Sequence, residues 1–176
     1  MQDQYQTLVE QSKWQRDNNV TQNKIREPLR ELITSHGSLT KALTQLGSDF
    51  SVNVLSQKLD LPLFHEQHIL NRASHRKAVI RQVELCVDNN LMVFARSILP
   101  LSLVEKTQTG LANLGQKPLG HLLFKEGEMR VSKRQFAQTP FQGKSIYARR
   151  TPYQYMGSSI LVSEFFLPNV EQLLTK

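Results

Sequence analysis

Two apolar runs, residues 79–87 and 91–98, meet at Asp88-Asn89-Asn90 and limit what this chain can become. Asp and Asn tolerate the positive φ of tight turns, so the pair reads as an antiparallel hairpin. Within that hairpin the apolar alternation is broken by charges. Arg81 falls on the same strand face as Val79, Val83, Leu85 and Val87, and Arg96 shares its face with Met92, Phe94 and Ile98. A third strand pattern, residues 160–167, ends at Pro168 and puts Glu164 on the face of Ile160, Val162 and Phe166. An unpaired charge on a buried face costs several kcal/mol, so each of the three needs a partner. Within the protein, Glu164 would pair with Arg81 or Arg96. Otherwise a ligand supplies the counter-charge.

The rest of the chain supplies helices around these strands. Residues 1–24 are rich in Gln and Asn and read as an amphipathic first helix or an arm, with the main domain spanning 25–176. Ile25, Leu29, Leu32 and Ile33 fall at helical spacing and His36-Gly37 ends that helix. Ser38 then caps a second helix with a stripe of Leu39, Ala42, Leu43 and Leu46, which Gly47 is placed to close. Phe50, Val52 and Val54 alternate as a strand, and residues 57–76, with Pro62, read as a loop or short helix. Ser102 and Glu105 form a capping box opening a helix that stops at Gly115. Pro118 opens another, with Leu119, Leu122 and Leu123. Residues 125–156 read as irregular strands and loops. The expected fold is α+β, a single domain with an antiparallel sheet of about six strands and helices as flaps over a buried pocket.

Charge narrows the partners. The chain has 176 residues with 22 basic and 15 acidic groups, net +7. Residues 1–71 carry 7 basic and 8 acidic groups, and residues 72–176 carry 15 and 7, so the excess lies wholly in the later part. Such a field concentrates anions of any kind. The clusters Arg72, Arg76, Lys77 and Arg149-Arg150 lack a recognition helix or an aromatic platform, so nucleic acid is not the expected partner; these read as solvated faces. A lone cysteine, Cys86, excludes an internal disulfide and reads as core rather than nucleophile. No apolar run approaches a membrane span and no secretory signal is visible, so a cytoplasmic protein is expected. His65-Glu66-Gln67-His68 has one residue too few between Glu and the second His for a zinc-protease helix, and reads as a solvated polar turn with no metal.

With these residues in view, the chain resembles the chorismate pyruvate-lyase family. The resemblance rests on RQVELCVDNNLMVFARSILP (81–100), LGQKPLGHLLF (114–124), ARR (148–150) and LVSEFFLP (161–168), and more faintly on residues 25–60. Asn90-Leu91-Met92 departs from the Gly-x-Pro-Trp that relatives often carry at the hairpin. The resemblance implies a lyase that converts chorismate to 4-hydroxybenzoate and pyruvate at the entry to ubiquinone synthesis, as a monomer without a cofactor. It carries the carboxylate-binding arginine onto Arg81, backbone contacts onto Leu119 and Leu39, and the catalytic-strand carboxylate onto Glu164. Arg81 would hold the ring carboxylate bidentately. Glu164 would act as general acid or base or orient the substrate. Arg96 would hold the enolpyruvyl carboxylate or serve as a structural partner. The alternative from another class is a non-catalytic domain that senses small aromatic acids on the same fold.

Overall fold

The computed structural model describes residues 2–16, 25–71, 75–106, 114–120 and 129–175. In chain order the elements are α1 (Gln2–Gln11), α2 (Leu29–Thr34), α3 (Leu39–Thr44), β1 (Phe50–Asp60), α4 (Phe64–Ile69), β2 (Ala78–Val87), β3 (Asn90–Pro100) and α5 (Leu101–Lys106). There follow β4 (Arg130–Val131), β5 (Gln135–Phe141), β6 (Lys144–Tyr155), β7 (Ser158–Phe166) and α6 (Pro168–Leu174). The fold is α+β. Among the described residues seven strands form one sheet in the order β1-β2-β3-β7-β6-β4, with β5 also paired to β6. Every pairing is antiparallel.

The β2–β3 turn forms as expected, with Asp88 and Asn89 both at positive φ (47° and 61°). The Asp88 carboxylate then reaches back: its Oδ1 accepts from the backbone N–H of Ser48 and Asp49, both at 2.9 Å, tying the entry of β1 to the turn. Gly47 serves this contact and does not close α3, whose C-cap is Gln45. A Cβ at Gly47 would overlap the Asp88 carboxylate and the Val87 side chain. Ser38 caps α3 as expected, its hydroxyl accepting from Lys41 N.

Residues 129–156, the described part of 125–156, depart from the irregular course expected of them. They contain a regular hairpin, β5–β6, and β6 runs on into β7 through a second one. The turns are Gln142-Gly143 and Met156-Gly157, each with two positive φ values. β6 escapes pattern reading because both its faces are covered, so polar and apolar positions do not alternate. Pro152 is tolerated in mid-strand. Its carbonyl accepts from Ser132 on the outer edge, so its missing N–H faces the gap where β5 stops at Arg150 and β4 resumes at Tyr153. Two smaller differences are that β1 extends to Asp60 and α5 begins at Leu101, ahead of the Ser102 capping box, whereas the short helix allowed for within residues 57–76 forms at Phe64–Ile69. Leu122, Leu123 and the chain between Lys106 and Leu114 lie outside the described residues.

Helices cover both faces of the sheet. On one face α2, α3 and α6 bury Leu29, Ile33, Leu39, Leu43 and Val170 against Val52, Val83, Leu85 and Val93. On the other, α1 lays Tyr5, Leu8 and Val9 over Phe94, Ala148 and Phe165, with the Tyr5 and Phe94 rings stacked at 4.1 Å. Among the described residues no helix is long and apolar enough to cross a membrane.

Candidate active site

Between the sheet and the α2–α3 hairpin lies a cavity, with about 590 Å³ of empty space including its mouth. The sheet supplies Arg81, Val83, Leu85, Ala95, Ser97, Arg149, Tyr153, Val162 and Glu164; the cover supplies Gly37, Leu39 and Pro118 to Gly120. Strand parity sets Arg81 and Glu164 on apolar faces, and the register across β2, β3 and β7 turns both to one hollow, with Leu39 and Leu119 in its cover.

Arg81 is 2% exposed. Its Nη1 donates to Gln57 Oε1 at 2.8 Å, and Nη2 donates to the carbonyls of Gly115 and Lys117 at 2.8 and 3.2 Å. The guanidinium thus holds the 114–118 segment, and part of the fork expected for a bidentate ligand is spent on it. It has no carboxylate partner among the described residues. Burial pulls its ionisation below the ordinary arginine range, the direction expected of a desolvated cation without a counter-ion.

Glu164, 8% exposed, pairs with neither Arg81 nor Arg96. Its Oε2 accepts from Arg149 Nε at 2.5 Å, across the register that sets Arg149 opposite Glu164. Arg149 Nη1 also lies within 3.0–3.1 Å of the carbonyls of Leu32, Ile33 and Ser35. These are among the last carbonyls of α2 and the turn after it, which the helix cannot satisfy itself. Arg134, just ahead of β5, does similar work, donating to the carbonyls of Thr34 and Ser35 and to the Thr151 hydroxyl. Tyr153 is buried beside this group, its phenol pushed up by burial and then by the Glu164 charge.

The arginine pair 149–150 is therefore not a solvated face. Arg150, on the opposite sheet face, is buried over the Trp14 ring at 4.7 Å, bonds Gln135 and His65, and is pushed down to about 10 by burial. Arg149 is the cavity-lining charge least visible in the sequence. The available signal was parity: Tyr147, Arg149, Thr151, Tyr153 and Tyr155 all fall on one strand face.

Arg96 is the structural partner of its two alternatives. It lies on the sheet face away from the cavity, where Nε and Nη2 donate to the two oxygens of Glu66 at 2.7 and 3.0 Å. Glu66 is 0% exposed and Gln67 is buried beside it, so the His65 to His68 stretch, rather than being solvated throughout, is a helical turn that buries its middle two residues while His65 stays half-buried and His68 exposed. Among the described residues no three His, Cys, Asp or Glu side chains stand together as a metal site. Cys86 is half-buried and burial pushes its thiol up, which disfavours the thiolate.

The chain matches the Chorismate lyase family over residues 8–176. It is 34% identical over 151 residues to a "Probable chorismate pyruvate-lyase" of Methylococcus capsulatus, covering 78% of this chain and 93% of that one. A protein of the same name from Psychromonas ingrahamii is 30% identical over 177 residues, covering 92% of each. Among solved structures, the effector domain of PhnF from Mycobacterium smegmatis superposes with a TM-score of 0.55 at 10% identity, over 76% of this chain and 90% of that one. A GntR-family regulator from Enterococcus faecalis gives 0.50 at 14% identity, over 68% and 94%. At such identities the likeness is one of fold.

Proposed function

Because the chain belongs to the chorismate lyase family, we propose that it converts chorismate to 4-hydroxybenzoate and pyruvate, the step that opens ubiquinone synthesis. The observation that carries this reading is Arg81, a buried cation lining the cavity with no carboxylate partner among the described residues. A site that keeps an uncompensated charge away from water is built for an anion.

In the reaction the ring C–O bond to the enolpyruvyl group breaks and the adjacent ring carbon loses its proton. The ring becomes aromatic, and the released enolpyruvate gains a proton to become pyruvate. Aromatisation supplies much of the driving force, so the chain's own residues need to bind, orient and move a proton. Arg81 holds the ring carboxylate, assisted by the backbone N–H groups of Leu39 and Leu119 in the cover. Glu164 stands at the hydroxyl-bearing end of the ring and orients it or exchanges the proton there. The apolar walls, Val83, Leu85, Ala95 and Val162, fit the ring and exclude water. The protein works as a monomer in the cytoplasm, with residues 25–176 as the lyase domain and 1–24 as an N-terminal arm or helix.

The test is turnover of chorismate by the purified chain, followed by the absorbance of 4-hydroxybenzoate. Arg81→Ala is expected to lose turnover and product binding while keeping a cooperative melt. Near-normal turnover in that variant would refute the carboxylate assignment. The effector-domain likeness favours one second reading, a sensor of small aromatic acids. Tight binding of 4-hydroxybenzoate with no turnover of chorismate would select it.

A further inference from the structure

We propose that Arg149 is a positioning residue that couples the seating of the α2–α3 hairpin to the orientation of Glu164, an inference that rests on the lyase reading above. Its guanidinium is a rigid plane with two anchor points. One edge holds Glu164 Oε2 through Nε at 2.5 Å. The far nitrogen, Nη1, holds the carbonyls of Leu32, Ile33 and Ser35, where α2 turns into the cover of the cavity. The Phe166 ring, 5.6 Å from the guanidinium carbon, packs against it. Arg149 is 2% exposed, so water does not stand in for either anchor.

The two ends act on different things. No hydrogen bond among the described residues uses Glu164 Oε1, so this oxygen is left to meet the ligand. Its direction is set by how Oε2 is held. When the hairpin lifts, Nη1 loses its carbonyls and the plane that aims Glu164 is free to turn. Seating the cover and aiming the carboxylate are thus one event. Lysine keeps the charge but, with a single nitrogen, does not reproduce both anchors. Arg134 supplies the comparison, since it binds Thr34 and Ser35 carbonyls without touching Glu164.

The experiment uses the full chain with chorismate for turnover, and 4-hydroxybenzoate and benzoate for binding by calorimetry. Benzoate keeps the carboxylate and lacks the hydroxyl that Glu164 meets. Wild type is expected to prefer 4-hydroxybenzoate by about 10-fold or more, the range for a hydrogen bond to a charged group. Arg149→Lys is expected to lower kcat about 10- to 100-fold and to bring that preference within about twofold, with benzoate affinity changed less than about threefold. Arg134→Lys should keep the preference. In an E164Q background R149K should add nothing further, because the two act as a unit. Should R149K not fold, the comparison of E164Q with wild type measures the same interaction from the carboxylate side; a full preference retained there overturns the proposal. So does an R149K enzyme with wild-type preference and kcat, or one that loses benzoate and 4-hydroxybenzoate affinity equally. A wild type with neither turnover nor preference instead removes the lyase reading, and this proposal with it.

Discussion

Replacing Arg96 by methionine isolates the buried ion pair on the sheet face away from the cavity. Glu66 is fully buried and both its oxygens are held by Arg96. Its Oε2 also accepts the backbone N–H of Leu63 at 2.8 Å, at the start of α4. Removing the guanidinium leaves a buried carboxylate with that single donor. Breaking such a pair costs about 3–5 kcal/mol. For a chain of this size each kcal/mol moves Tm by about 2–4 °C, so R96M should melt about 6–20 °C lower. Because the side chain points away from the cavity, kcat/KM below the melt should stay within about twofold of wild type. The double variant R96M/E66M should recover most of the lost stability, since a well-packed apolar pair replaces a buried ion pair at little cost. Calorimetry and the chorismate assay decide the matter together. An R96M variant that keeps its Tm and loses turnover would refute the reasoning, and would mean that Arg96 faces the substrate after all.

Two further predictions concern the frame of the fold. Gly47→Ala would push a methyl into Asp88 and Val87, where the Asp88 carboxylate is pinned by two backbone donors, and should cost about 1–3 kcal/mol in urea unfolding. A midpoint equal to wild type would show that the turn yields. His65 is lowered below its ordinary value by burial, with the Arg150 and Arg96 charges acting the same way and Glu66 opposing. The unfolded chain therefore binds its proton more readily. Its contribution is complete above the unfolded value of about 6.5 and is lost as pH falls from there toward the lower folded value. Between about pH 7.5 and 5.5 the wild-type midpoint should fall more steeply than that of His65→Asn; parallel declines would count against the assignment.

The expected and observed structures part company at identifiable residues. Ser38 acts through the next few residues, and Asp88 and Asn89 form their turn with their own backbone, so those roles were readable in place, whereas the reach of the Asp88 carboxylate to Ser48 and Asp49 was not. Gly47 was misjudged because its neighbour, Asp88, is forty-one positions away. Residues 144–155 hid a long strand because coverage of both faces removes the alternation that marks a half-buried one. Glu66 looked solvated beside two histidines, and only its distant partner explains its burial.

What the sequence alone determined about the site was which face each charge occupies. Side chains alternate with period two along any strand, so Arg81, Arg96 and Glu164 each had to share a strand face with apolar neighbours. Which charge meets which is a matter of register between strands and of the elements laid over them, and no local pattern contains that. The tertiary structure gave Glu164 to Arg149 and Arg96 to Glu66. It left Arg81, alone of the three, without a carboxylate among the described residues, and that uncompensated charge in an apolar hollow is what supports the proposed anion site.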